Sequence, residues 1–206
     1  VSQERITAEL SKIFTLFSFR HLKNARLMSL LKELMCQECV FGSKWQDSCW
    51  FDQKNPHHDE ALHQHVFRMT SKLPNKLEFK LAGLLHDIAK PSTQVLNPKT
   101  GFMRYIGHAV ESAISARELL TKMKFSNDVI DKTVDLIASH MFLVPKESEK
   151  MNQDRLDQHV AKLMIKIAER KLNVSIEEMC IFTICDKTRV NNEIDIVSII
   201  TECSRI

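Results

Sequence analysis

Phe79-Lys-Leu-Ala-Gly-Leu-Leu-His-Asp-Ile-Ala-Lys90 is the stretch on which the reading of this chain turns. Its apolar run from Leu81 to Leu85 has the composition of a buried element. The run delivers His86 and Asp87 side by side, and Pro91 stops the element just afterwards. A carboxylate carried into an apolar interior needs a partner, because an isolated buried charge is costly. A metal ion supplies one, and adjacent imidazole and carboxylate groups suit a borderline cation. On the dipeptide alone the bland reading, in which Asp87 is a helix-end charge, is the commoner outcome. The remaining histidines decide between the two.

With 206 residues the chain is long enough for one good-sized core and a small appended module. Apolar residues make up 44% and charged residues 27%, the balance of an ordinary globular protein. Only four Gly and five Pro interrupt a chain rich in Leu, Ile, Lys and Glu, which points to helices. The net charge of +3 permits a polyanionic partner without requiring one, and no Lys/Arg block suggests DNA. No apolar run approaches ~18 residues, so no membrane span is expected. The first residues do not read as a secretory signal, and a cytoplasmic location is expected. The cysteines at 36, 39, 49, 180, 185 and 203 are read as reduced packing thiols. Cys36 and Cys39 have CxxC spacing but lack the second pair that a structural zinc site wants.

Apolar residues recur at helical spacing in Ile6, Leu10, Ile13 and Phe14, and again in Leu27, Leu30, Leu31 and Leu34. Ser2 to Arg5 only loosely resembles a capping box. Val40-Phe41-Gly42-Ser43 breaks the second helix, and residues 43–57 read as irregular. Asn55-Pro56 marks a turn, Asp59 caps a helix running to about Ser71, and Leu73-Pro74-Asn75 ends it. The next helix is expected from Leu77 to Lys90. Between Pro91 and Gly107 lies the longest segment without helical periodicity, which beside the His-Asp pair reads as a functional loop. Further helices are expected at about 108–123, 127–141, 154–171 and 176–190. With no convincing strand pattern and no internal repeat, the chain reads as all-α.

His65, His86-Asp87, His108, His140 and Asp186 each fall on a different expected helix or helix end. A bundle can turn such residues inward to one core site. Four imidazoles and two carboxylates suffice for two metal ions, with Asp87 bridging through its two oxygens. Each residue also has an ordinary explanation. His65 could be a surface residue, with His63 and the His57-His-Asp-Glu60 run as rivals. His108 could simply open a helix, and His140 could be a satisfied core histidine. Asp186, after Phe182-Thr-Ile-Cys185, needs a cation or donors if it is buried. Taken together in this order, the six fit one site better than six coincidences. Lys90 and Arg104 are placed to meet a phosphate or its developing charge, unless both are merely solvated. His58 is a further candidate for holding a ligand or substrate.

The order H…HD…H…H…D resembles the ligand pattern of two-metal members of the HD-domain superfamily. That superfamily consists mainly of metal-dependent phosphohydrolases, with a few di-iron oxygenases. Spacing from Asn55-Pro56 in that family favours His65 as the first ligand. Asn55-Pro-His-His-Asp, Gly83-Leu-Leu-His-Asp-Ile-Ala-Lys90 and Tyr105-Ile-Gly-His-Ala-Val-Glu-Ser112 resemble the HD region of bacterial CCA-adding tRNA nucleotidyltransferases. Ser2-Gln-Glu-Arg-Ile6 and Glu9-Leu-Ser-Lys12 resemble the segment after those enzymes' catalytic head. Nothing in the chain offers the Gly-Ser pair with paired carboxylates that such a head uses, so tail addition by this stretch alone is not expected. Cys185-Asp186-Lys-Thr-Arg189 only approximates the Asp-x-x-Gly-Arg often found there.

The resemblance implies an all-α HD-domain bundle over residues 51–206, with a helical neck over residues 1–50. It implies a phosphohydrolase acting on a nucleotide or an RNA 3′ end: 2′,3′-cyclic phosphates, 2′-phosphates or nucleoside monophosphates. Two divalent metals drawn from Mn, Fe, Co, Ni or Zn would be ligated by His65, His86, Asp87, His108, His140 and Asp186. They would lower the pKa of a bridging water. Asp87, Lys90 and Arg104 are the expected catalytic groups, and His58, Lys90 and Arg104 the expected substrate contacts. Two alternatives remain: a tRNA-binding module with structural metals, and a di-iron oxygenase.

Overall fold

The computed structural model describes residues 2–16, 25–54, 60–142 and 171–187, with single positions at 158, 161, 162, 165, 168 and 169. His58, the expected cap Asp59, Arg189, Cys203 and most of the expected helix over 154–171 lie outside the described residues. Among the described residues there are eight helices and one two-stranded sheet, so the chain is all-α with a single hairpin inserted. No helix among them is long and apolar enough to cross a membrane.

Helix α1 (Gln3–Leu16) buries Leu10 and Phe14, and the Ser2 hydroxyl accepts the Arg5 amide at its start. Helix α2 (Ala25–Met35) buries Leu31 and Met35. The chain then turns at Gly42, whose φ of 62° is open to glycine at little cost. Helix α3 (Gly42–Cys49) follows where irregular chain is expected. Its weak polar pattern hides a helix that exists to sink Trp45 and Cys49 into the core, with Trp45 between the rings of Phe41 and Phe67. Each such fully buried large apolar side chain contributes roughly 1.5–3 kcal/mol. The five described cysteines are free thiols; Cys49, Cys180 and Cys185 are buried, whereas Cys39 is exposed.

Helices α4 (Leu62–Lys72) and α5 (Leu77–Leu85) form an antiparallel hairpin at the centre. They touch at Gly83, where a Cβ would stand 2.6 Å from Leu73 and 2.7 Å from Thr70. All of α5 from Phe79 to Leu85 is buried, Lys80 included. Its ammonium group donates to the carbonyls of Thr70 (2.8 Å) and Leu73 (2.9 Å), satisfying the open end of α4. Contrary to expectation, α5 stops at Leu85. His86 to Thr93 continue as turns, with the Ile88 amide on the Leu85 carbonyl and the Lys90 amide on that of Asp87. The Ser112 hydroxyl accepts the Ala89 amide at 3.1 Å and pins these turns to the next helix.

The expected loop holds a short antiparallel hairpin, β1 (Gln94–Leu96) and β2 (Met103–Tyr105). Three residues per strand are too few for a periodic signal, and the pairing is supplied across Asn97 to Phe102. Helix α6 (His108–Lys122) starts after Gly107, another left-handed position at φ 79°. Helix α7 (Asn127–Ser139) packs on both α5 and α6, and α8 (Ile176–Lys187) on α4 and α7. A Ser175–Glu178 capping box opens α8, and Asp135 of α7 accepts the Asn173 amide just before it. One apolar cluster extends from Leu10 and Phe14 to Met179 and Phe182.

Candidate metal centre

Five helix ends and turns bring the six expected ligands together. His65 lies in the first turns of α4, while His86 and Asp87 follow the last residue of α5. His108 opens α6, His140 ends α7, and Asp186 sits in the last turn of α8. Helix termini suit this role because a side chain there can reach inward without displacing the helix–helix packing. His86 is fully buried, and Asp87 and His140 are each 2% exposed.

The groups divide into two sets around Asp87. On one side, Asp87 Oδ2 lies 3.1 Å from His86 Nε2 and 3.5 Å from His65 Nε2. Asp186 Oδ1 completes that set, 3.0 Å from His65 Nε2 and 3.4 Å from His86 Nε2. On the other side, Asp87 Oδ1 lies 3.3 Å from His108 Nε2 and 4.0 Å from His140 Nε2. His65, His86 and Asp87 form one group able to hold a metal, and Asp87, His108 and His140 another.

Hydrogen bonds at the far side of three of the rings fix which nitrogen faces inward. His86 Nδ1 donates to Gly83 (2.9 Å), His108 Nδ1 to Tyr105 (2.7 Å) and His140 Nδ1 to Ile137 (2.6 Å). A carbonyl only accepts, so Nδ1 carries the proton and a neutral ring turns its Nε2 lone pair to the centre. His108 Nε2 and His140 Nε2 stand 3.2 Å apart, and so do those of His65 and His86. Nitrogens at that distance need either a shared proton or a cation between them. Asp87 Oδ1, buried between both histidines, has no hydrogen-bond partner of its own. A buried carboxylate oxygen left in that state is costly. The donor set, borderline nitrogen with hard oxygen, therefore fits divalent transition metals.

Charges within the cluster shift one another strongly. Burial works to raise the Asp87 carboxyl, but the charges of His86 and Lys90 overcome it and hold the group well below the usual carboxylate range. Asp186 is likewise held low against its burial by His65 and His86. Burial works to lower His86, yet Asp87 and Asp186 push it up to about 10. Burial takes His140 down to about 4, reinforced by the neighbouring His86 charge. Positive charge at His86 and Lys90 thus offsets the Asp87 and Asp186 carboxylates, while His140 stays a neutral imidazole.

Lys90 belongs to the cluster, with Nζ 2.7 Å from Asp87 Oδ2 and 2.8 Å from Gln53 Oε1. Arg104 does not join it. It stands exposed on β2 opposite Val95, because alternation along the strand turns the adjacent Tyr105 toward the Gln53 carbonyl instead. Three supporting groups were not singled out from the sequence. Gln53 braces Lys90, and Glu60 with Arg68 surrounds the outer face of His65. Arg68 stands one turn after His65 on α4, and that spacing was the available signal. For Gln53 no local signal existed.

The HD domain family model matches residues 62–189, more than half of the chain. A CC-adding tRNA nucleotidyltransferase of Thermus thermophilus is 35% identical over 77 residues, 37% of this chain and 18% of the relative. An A-adding tRNA nucleotidyltransferase of Deinococcus radiodurans is 32% identical over 91 residues, 44% of this chain and 20% of the relative. The matched segments span about a fifth of each relative's length. No solved structure matches the chain significantly.

Proposed function

The chain belongs to the HD-domain family, and on that premise we propose that it is a metal-dependent phosphohydrolase acting on nucleotides or RNA ends. Its substrates are 2′,3′-cyclic phosphates, 2′-phosphates or nucleoside monophosphates, as nucleotides or at an RNA 3′ end, and its location is the cytoplasm. In this reading residues 51–206 form the catalytic domain and residues 1–50 a neck. The observation that carries the proposal is Asp87, whose two oxygens are divided between two histidine sets, one oxygen having no other partner. The printed names of the relatives, both enzymes of tRNA, support an RNA-end substrate.

His65, His86, Asp87 and Asp186 would hold one ion, and Asp87, His108 and His140 the other. When bound, such ions supply positive charge that makes water acidic and offsets the charge of a phosphoryl group. The chain's own residues prepare that chemistry. The backbone bonds at Nδ1 hold His86, His108 and His140 with Nε2 inward. Lys90 keeps the Asp87 carboxylate in one orientation from its Gln53 brace, and adds a positive charge at the site. Burial of His86, Asp87 and His140 keeps bulk water from them and strengthens these interactions.

The same burial favours a second reading, in which metals only staple a tRNA-binding module. Elemental analysis combined with a panel of cyclic and monoester nucleotides separates the two. Two transition-metal ions per chain with metal-dependent hydrolysis is the expected result. Metal bound without turnover, together with tight tRNA binding, would replace the enzyme with the module.

A further inference from the structure

The hairpin between Lys90 and His108 carries a row of side chains that the metal centre does not use. Along β2 and its flanks exposure alternates: Phe102, Arg104 and Ile106 are exposed, whereas Met103 and Tyr105 are half-buried. That is the period of a strand with one face against the body of the protein. Phe102 is 47% and Ile106 69% exposed, and Val95, the register partner of Arg104, is exposed beside them. One outer face thus holds an aromatic ring, a guanidinium and two aliphatic side chains. Between Asp87 and Glu111 the sequence contains Lys90, Lys99 and Arg104 and no carboxylate. Lys99 and Arg104 are exposed and form no ion pair among the described residues. Asp52, an acid of the loop before α4, turns its Oδ1 to the Lys54 amide at 3.0 Å. The feet of the hairpin stand at the centre. The Tyr105 carbonyl accepts His108 Nδ1 at 2.7 Å, and its ring lies 5.5 Å from Lys90 Nζ. His108 is the most exposed of the four imidazoles, at 9%, so among them the centre is most open where β2 ends.

We propose that this outer face is a docking platform for single-stranded RNA whose end lies at the metal centre. This rests on the reading of the chain as acting on RNA ends. Phe102 stacks on an unpaired base, Arg104 takes a backbone phosphate behind the terminal one, and Val95 and Ile106 pack beside them. Every base has a π face, so such stacking tolerates sequence, and a surface segment with cations but no carboxylates suits a polyanion. Phe102 stands three residues along the strand from Tyr105, about 10 Å, which is the length of about three stacked nucleotides. Arg104 is absent from the metal cluster, in this account, because the phosphate it meets is not the reacting one.

The test measures fluorescence anisotropy of an oligoadenylate of about eight nucleotides, within the span that such sites cover, on the full chain over a range of salt. The probe carries its label at the 5′ end and a 3′ hydroxyl, so it reads binding without a terminal phosphate to hydrolyse. Binding is expected, with weak competition from the same strand paired to oligouridylate, whose bases are already stacked. Phe102→Ala should weaken binding by roughly 5–100-fold without changing the slope of log affinity against log salt, and Phe102→Tyr should recover it. Arg104→Ala should lower the slope by about 0.7, the share of one single-strand phosphate, and Arg104→Lys should keep it. Absence of binding, or unchanged affinity and slope in both alanine variants, would overturn the proposal. So would a Phe102→Ala protein that loses self-association in sedimentation but keeps its RNA affinity, which would make the face a contact between copies of this chain. Nucleotide hydrolysis by a chain that does not bind the probe would overturn the platform and leave the phosphohydrolase standing. Binding through Phe102 and Arg104 without hydrolysis of any nucleotide would support the platform and remove the phosphohydrolase.

Discussion

The two sides of Asp87 are built differently. The His65 side carries a second carboxylate, Asp186, and leans on the Glu60–Arg68 pair. The His108 side has two imidazoles, both locked to backbone carbonyls, and shares only Asp87. Two carboxylates attract a divalent cation more strongly than one, whereas backbone anchors hold geometry without depending on any other side chain. Both sides have a backbone-anchored imidazole, His86 on the first, but only the first adds a second carboxylate. The two positions should consequently fail in different ways.

The largest effect is expected where the sides meet. Asp87→Ala removes a ligand from both, so elemental analysis should find neither ion and hydrolysis should fall to background. Retention of one ion at full occupancy would show that Asp87 serves a single side. Next come substitutions confined to one side. His140→Ala should empty the His108 side while leaving the other ion in place, and Asp186→Ala should do the reverse. Loss of both ions from either variant would merge the two sets into one cooperative site.

Lys90 sharpens the contrast in another way, because it touches the Asp87 oxygen that faces His65. Lys90→Ala should keep the metal content and lower turnover by ~10²-fold. Full activity would confine Lys90 to a structural role. Metal removal gives a smaller, global effect. An ion present at 100 times its dissociation constant stabilises the fold by about 2.7 kcal/mol, so chelation should lower the melting temperature by several degrees. An unchanged melting curve after verified removal would show that the bundle stands without the centre. The smallest effect concerns the scaffold: Gly83→Ala forces a methyl against Leu73 and Thr70 and should cost about 1–3 kcal/mol, read from a denaturant melt. No loss there would mean that α4 and α5 can separate without disturbing His65 and His86.

Much of this arrangement is legible in the chain. Helices α1, α2 and α4 to α8 follow from apolar periodicity and breakers, since burial of one face imposes the repeat. Helix α3 escaped because eight residues carrying one large aromatic anchor give too little repeat to detect. The strands escaped for the same reason at three residues each. Lys80 reads as an error in an apolar run until the end of α4 is brought beside it, where its charge satisfies two carbonyls. Arg104 is an expected phosphate contact, but strand alternation turns Tyr105 inward in its place.

By itself the sequence determined the helical class and the order of six metal-type side chains, because residue chemistry and apolar spacing are local properties. Only the tertiary structure decided that the Asp87 oxygens divide between two histidine sets and that Gln53 braces Lys90. It also decided that the outer nitrogen of His65 meets Glu60 and Arg68 rather than a carbonyl. These are relations between segments far apart in the chain or between side chains of unspecified orientation, and they arise only when close packing of the helices selects one arrangement among many.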